Sequence, residues 1–113
     1  MQLPDKYADV LYDAIDTYGQ DAQTDVCIEE CSELIKALLK FRRLPLEKRL
    51  ATKGTKALES IQEEIADVQI MLWQMDLLYG CDCVDSKIEQ KIDRLKERIQ
   101  TAEKLQEEAS GHD

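Results

Sequence analysis

The strongest constraint on this chain is a helical repeat of apolar residues that continues through most of its length. Apolar side chains recur at spacings of three and four, and only 4 Gly and 2 Pro interrupt the pattern. This spacing places apolar residues on one face of an α-helix, whereas a half-buried strand would need strict alternation. Gly and Pro mark helix ends. The sequence therefore predicts an all-α fold with helices over about residues 4–18, 22–42, 55–79 and 84–107.

The length of 113 residues suits one domain with a single core. Hydrophobic residues make up 43% of the chain, which is enough for a globular fold. We expect one all-α domain over residues 1–107 and a flexible C-terminal tail over 108–113. Residues 44–54 are predicted to form a basic loop with room for a short helical turn.

The chain is strongly acidic, with a formal net charge of −9 at pH 7. This charge argues against sequence-independent binding of nucleic acid, which needs clustered Lys and Arg. The sequence has no apolar run of about 18 residues to span a membrane, and its N-terminal segment does not resemble a signal peptide. We therefore expect a cytoplasmic protein, of a cell or of an infected host, that binds neither nucleic acid nor membranes.

Four cysteines occur as two close pairs, Cys27 with Cys31 and Cys81 with Cys83. Cytosolic thiols are expected to be reduced. The spacing does not match a known zinc motif, so we expect small buried side chains, with a shared zinc site as the alternative.

Two predicted helices carry acidic residues inside their apolar faces. At about 100° per residue, Glu30 lies among the apolar side chains of the second helix, and Glu33 lies at the margin of that face. Glu64 and Asp67 repeat the arrangement on the third helix. Acids three residues apart share a helix face and can reach one point. Two matching pairs of this kind indicate a common ligand.

A divalent cation would explain these four acids. Burying unpaired carboxylates costs several kcal/mol each in order of magnitude, and a cation offsets that cost. Mg²⁺ is a hard ion that prefers carboxylate oxygens and water. The alternative is that the acids are solvated, or paired with Lys and Arg, at the edge of a groove.

Two further features concern the third and fourth predicted helices. Lys91 enters the apolar stripe of the fourth helix with Arg94 on the same side, and such cations can pair with a carboxylate or hold a phosphate. Snorkelling of the Lys91 side chain is the alternative. The third helix is apolar nearly all round, with Ile70 and Trp73 far from its acidic face. This pattern predicts self-association through the third helix.

The two acidic segments, EECSE at residues 29–33 and EEIAD at residues 63–67, match the patterns EExxE and EExxD. In these motifs the chain resembles the MazG-like all-α nucleoside triphosphate pyrophosphohydrolase superfamily. YGQDAQ before the first motif and KIDR, which runs from Lys91 to Arg94, are also similar to what such proteins carry. The resemblance covers about residues 15–98.

The resemblance implies a four-helix MazG-like bundle completed by dimerisation, as a homodimer or homotetramer. It implies hydrolysis of a nucleoside triphosphate between the α- and β-phosphates, which gives the monophosphate and pyrophosphate. The cofactor would be Mg²⁺, with Mn²⁺ as a substitute. The resemblance implies that the metal ligands are Glu30, Glu33, Glu64 and Asp67. It implies that the catalytic groups are Glu29 and Glu63, which support the ligands or orient water. The implied phosphate contacts are Lys91 and Arg94.

Two other functions compete with this one. A di-iron carboxylate bundle needs Glu-x-x-His pairs, and the sole histidine is His112 near the C-terminus. A non-enzymatic helical oligomer or adaptor, whose acids bind a basic partner, would explain the charge and the apolar third helix. It would not explain two acidic pairs placed inside apolar faces.

Overall fold

The structure, a computed structural model, describes residues 2–111. Within these residues the chain is helical and contains no strand, which confirms the predicted all-α class. None of the described helices combines the length and apolarity that a membrane span requires. The elements are α1 (Asp5–Tyr18), α2 (Gln20–Arg43), α3 (Leu46–Arg49), α4 (Thr52–Met75), a π-helical turn (Asp76–Gly80) and α5 (Val84–Ser110).

The described residues contain five helices, whereas the sequence predicts four and a basic loop. The fifth helix is α3, a single turn within residues 44–54, where the sequence left room for one. Arg49 holds it against the end of α2 by donating hydrogen bonds to the carbonyl oxygens of Leu44 (3.0 Å) and Arg42 (2.8 Å). Its guanidinium also lies 5.4 Å from the ring centre of Phe41. These contacts satisfy carbonyl groups that a helix end leaves unpaired.

The chain divides into two compact units, Met1–Gly80 and Cys81–Asp113. The first unit contains α1 to α4, and the second contains α5. Along the whole described length of α5 no residue is buried. Four residues of its predicted apolar stripe are each 42–49% exposed, namely Ile88, Ile92, Leu95 and Ile99.

The core of the first unit lies mainly between α2 and α4. Gln23 near the start of α2 contacts Gln74 near the end of α4, so the two helices run antiparallel. The π-helical turn is joined to α2 by a 2.6 Å hydrogen bond between the hydroxyl groups of Thr24 and Tyr79. The core is small, since its buried hydrophobic members are Leu11, Cys27, Ala37, Ala57, Val68 and Met71.

Gly54 allows α3 to lie close to the start of α4. Gly54 is buried in the first turn of α4, and a Cβ added to it would overlap the backbone carbonyl group of Arg49. The absence of a side chain at this position therefore allows α3 to contact the start of α4 directly.

Candidate metal centre

Glu30, Glu64 and Asp67 come together where α2 and α4 pack. One carboxylate oxygen from each residue lies within 4.8 Å of the corresponding oxygens of the other two. Glu30 is contributed by α2, and the other two lie about one turn apart on α4. Glu30 and Glu64 are half-buried and Asp67 is exposed. We call this group the acidic triad, and it faces solvent on the Asp67 side.

The surroundings of the triad disfavour the charged forms of its carboxyl groups. Burial raises the pKa of Glu30, and the charges of Asp67 and Glu64 raise it further. Burial also raises the pKa of Glu64, with the charge of Asp67 as the next contribution, while a hydrogen bond with Glu30 partly lowers it. Carboxylates that repel one another in this way are stabilised by a shared cation.

One oxygen of the triad lacks a partner. Glu64 Oε2 is buried and makes no hydrogen bond to any of residues 2–111. A buried carboxylate oxygen without a partner is costly, and a cation bound by the triad would offset that cost. The three residues offer only oxygen donors, which fits hard divalent cations as a class. The residues present therefore fit the cation that the sequence resemblance implies.

Glu33, the fourth predicted ligand, lies outside the acidic triad. Its Oε1 is 3.3 Å from Nζ of Lys36, one turn further along α2, and forms a salt bridge with it. Its charge still raises the pKa of both Glu30 and Glu64, so it is within electrostatic reach of the centre. The assignment of Glu33 as a ligand stays a prediction.

Glu29 and Glu63, the predicted catalytic groups, are exposed and directly precede Glu30 and Glu64. Glu29 contributes to the raised pKa of Glu30, and Glu63 contributes to that of Glu64. The two acids therefore border the triad without joining it, and their catalytic role stays a prediction.

Lys91 and Arg94 are exposed on α5, which belongs to the second compact unit. Their predicted contact with phosphate stays a prediction. The first unit has cations of its own, which sequence reasoning did not assign to a site. Lys40, Lys53 and Lys56 line one pocket between α2 and α4. The signal in the sequence is the basic composition of residues 44–54, which does not indicate that Lys53 lies near Lys40 and Lys56.

The four cysteines are free thiols. Cys27 is buried and Cys31 half-buried, so the expectation of buried side chains is confirmed for Cys27 alone. Cys81 and Cys83 are exposed, which contradicts that expectation. Burial raises the pKa of the Cys27 thiol, and Cys31 contributes to the shift. Among residues 2–111, the acidic triad is the cluster of Cys, His, Asp and Glu side chains that brings three ligand atoms together.

Comparison of the chain with known protein families, with curated proteins and with solved structures finds no match. The geometry of the triad and the pattern of the two acidic motifs therefore carry the functional argument.

Proposed function

We propose that this protein is a divalent-cation-dependent nucleoside triphosphate pyrophosphohydrolase. It would cleave ribo- or deoxyribonucleoside triphosphates between the α- and β-phosphates to give the monophosphate and pyrophosphate. The observation that carries the proposal is the acidic triad, in which Glu30 from the EECSE motif meets Glu64 and Asp67 from the EEIAD motif. The buried, unpartnered Oε2 of Glu64 supports the same proposal.

The charge of the substrate explains why such a centre needs a cation. A triphosphate is highly anionic, and the triad would repel it unless positive charge lay between them. A cation held by the triad, Mg²⁺ or Mn²⁺ in its place, would supply positive charge for the phosphate oxygens and would lower the pKa of a bound water. The triad would hold the cation, and Glu33 would join it by exchanging its salt bridge to Lys36 for the ion.

The proton from the attacking water needs an acceptor near the triad. A carboxylate whose pKa is raised accepts a proton more readily near neutral pH than an ordinary one does. Glu30 and Glu64 both have a raised pKa in the cation-free protein, because burial and the neighbouring acids disfavour their charged forms. A bound cation would hold its ligands as carboxylates, so the acceptor would be a carboxylate of this cluster that does not coordinate the cation. The neighbouring acids Glu29 and Glu63 are exposed beside them and are assigned the orientation of water.

The phosphate-binding role of Lys91 and Arg94 is part of this proposal. It rests on the likeness of KIDR to the corresponding segment of the MazG-like proteins. Both side chains are exposed and therefore available to a ligand.

We also propose self-association through α4, as a homodimer or homotetramer. A pocket of about 480 Å³ lies between α4 and α1. It is lined by Ile70 and Trp73 of α4 and by Tyr7 and Val10 of α1. Tyr7, Val10 and Ile70 are 43%, 66% and 41% exposed, and the rings of Tyr7 and Trp73 lie 5.9 Å apart. A second copy of α4 would cover this apolar surface.

The alternative function is a non-enzymatic helical oligomer or adaptor with an acidic binding surface. The exposed apolar stripe of α5 favours it, because such stripes pack against partner helices. It gives no reason for the unpartnered oxygen of Glu64.

The two functions differ in the products that they release. The purified protein is incubated with the four dNTPs, the four NTPs and dUTP, with Mg²⁺, with Mn²⁺ and with EDTA. We expect monophosphate and pyrophosphate in equal amounts from at least one nucleotide when a cation is present, and neither in EDTA. Diphosphate and inorganic phosphate as products, or no product throughout, would contradict the proposal.

A further inference from the structure

A second site lies beside the acidic triad between the same two helices. It is a pocket of about 490 Å³ lined by Lys40 of α2 and by Lys53, Lys56 and Ser60 of α4. Ala37, Leu44 and Ala57 complete its lining. We call it the lysine pocket.

The position of the pocket follows from helix geometry. Ser60 precedes Glu64 by about one turn of α4, or roughly 6 Å of helix rise. Ala37 follows Glu30 by about two turns of α2, or roughly 10 Å. Because α2 and α4 run antiparallel, moving backward along α4 and moving forward along α2 lead away from the triad in the same direction. The lysine pocket is therefore the next stretch of the surface where α2 and α4 meet.

The pocket concentrates positive charge in a chain whose net charge is −9. None of the described residues that line it is acidic. Within residues 2–111, Lys40, Lys53 and Lys56 take part in no ion pair, whereas Lys36 is paired with Glu33. The three lysines are exposed around one pocket, and an anion bound among them would be attracted by all three ammonium groups. The Ser60 hydroxyl adds a hydrogen-bond donor.

The α4 wall of the pocket is held in place by backbone contact. Gly54 lies between Lys53 and Lys56 in the first turns of α4, and its buried Cα approaches the Arg49 carbonyl of α3. Arg49 in turn donates a hydrogen bond to the carbonyl oxygen of Leu44, which follows the end of α2 and belongs to the pocket lining. The lysines of α4 thus lie on a helix that contacts α3, and α3 is hydrogen-bonded to the end of α2.

We propose that the lysine pocket is a phosphate subsite that holds the β- and γ-phosphates of the substrate and then the pyrophosphate product. This inference rests on the proposed function. The acidic triad would hold the cation, and the lysines would bind the most highly charged end of the substrate directly. Lys ammonium groups bind phosphate oxygens through charge-assisted hydrogen bonds.

The test compares the double variant Lys53→Gln/Lys56→Gln with the control Lys87→Gln/Lys104→Gln. The control removes the same charge from exposed positions of α5. Binding of inorganic pyrophosphate in EDTA is measured by calorimetry, and kcat and KM are measured with Mg²⁺ and the best nucleotide. Lys40→Gln, on the other helix, is a second variant in case the double variant does not fold.

We expect the pocket variants to lose about tenfold or more in pyrophosphate affinity and to raise KM by a similar factor, with kcat nearly unchanged. The control should match the wild type. Nucleotide hydrolysis with unchanged KM and pyrophosphate affinity in the pocket variants would overturn the inference and leave the proposed function standing. If no nucleotide is hydrolysed, the proposed function is contradicted, and the binding measurement still tests the subsite. Equal affinity of both double variants for pyrophosphate would contradict the subsite.

Discussion

Gln23 and Gln74 form a buried hydrogen bond between α2 and α4, with Gln23 Nε2 donating to Gln74 Oε1 over 2.6 Å. The two side chains are 6% and 3% exposed. Gln23 lies about two turns before Glu30, and Gln74 lies about two turns after Asp67. The bond therefore fixes the register in which the acids of the two helices face each other.

The first prediction concerns this pair. Gln74→Leu leaves the Gln23 amide buried without its partner, so we expect the free energy of unfolding to fall by about 1–3 kcal/mol. Replacing both residues, as in Gln23→Leu/Gln74→Leu, removes the unpaired group and should restore most of that loss. Urea denaturation of the two single variants and the double variant measures the coupling. Strictly additive losses would show that the amides do not depend on each other.

The second prediction concerns Gly54. Alanine favours a helix interior by up to about 1 kcal/mol over glycine. A Cβ at Gly54, however, would overlap the carbonyl of Arg49, which is backbone and cannot rotate away. We expect overpacking of about 1–3 kcal/mol to exceed the gain, so that Gly54→Ala lowers the melting temperature.

Gly111→Ala is the matched control for Gly54→Ala, because its Cβ would come no closer than 3.4 Å to the Glu107 oxygen. It should change stability by less than about 0.5 kcal/mol. If both alanine variants melt like the wild type, the contact between α3 and α4 is looser than the structure indicates.

The third prediction follows from the raised pKa of Glu64, whose ordinary value is 4.5. A carboxyl group with a higher pKa in the folded state binds protons more tightly there than in the unfolded chain. The cation-free protein therefore loses the contribution of this group to stability as pH rises through the folded pKa, and regains it as pH falls toward 4.5.

Glu64→Gln imitates the protonated form at every pH and isolates this effect. We expect the variant to melt above the wild type at neutral pH in EDTA, with the difference shrinking toward pH 4.5. Added Mg²⁺ should raise the melting temperature of the wild type and not that of the variant. A difference that stays constant across pH would contradict the assignment of the shift to Glu64.

The fourth prediction concerns self-association. Ile70→Glu places a charge on the apolar face of α4, so we expect it to convert the oligomer to monomer in sedimentation velocity runs. Leu50→Glu is the control, since Leu50 is 84% exposed and does not line the α4 pocket. A monomeric wild type, or equal association of both variants, would contradict the proposed interface.

The helical period is enough to predict part of the site. It places Glu30 and Glu64 on the apolar faces of their helices and Asp67 at the margin, from residue spacing alone. The approach of their oxygens to within 4.8 Å of one another depends on the register of α2 against α4, which the buried Gln23–Gln74 pair helps to set. Sequence patterns carry no direct signal for such a long-range pairing.

Other features depend on local competition or on tertiary contact. The sequence places Glu33 at the margin of the face that contains Glu30, and the structure shows that Lys36, one turn away, binds the Glu33 carboxylate. The lysine pocket forms because Arg49 and Gly54 bring the start of α4 beside the end of α2. Composition identified the basic segment without indicating that its lysines face Lys40 across a cavity.

The central claim is that the acidic triad holds the cation required for pyrophosphate release, and Glu64→Gln tests it most directly. Glu59→Gln serves as the control because Glu59 is exposed on the same helix and outside the triad. Pyrophosphate release is measured with Mg²⁺ and the best nucleotide, and circular dichroism checks that both variants are folded. We predict a loss of about 100-fold or more for Glu64→Gln and wild-type rates for Glu59→Gln. Full activity in a folded Glu64→Gln protein would contradict the assignment of the triad as the metal centre.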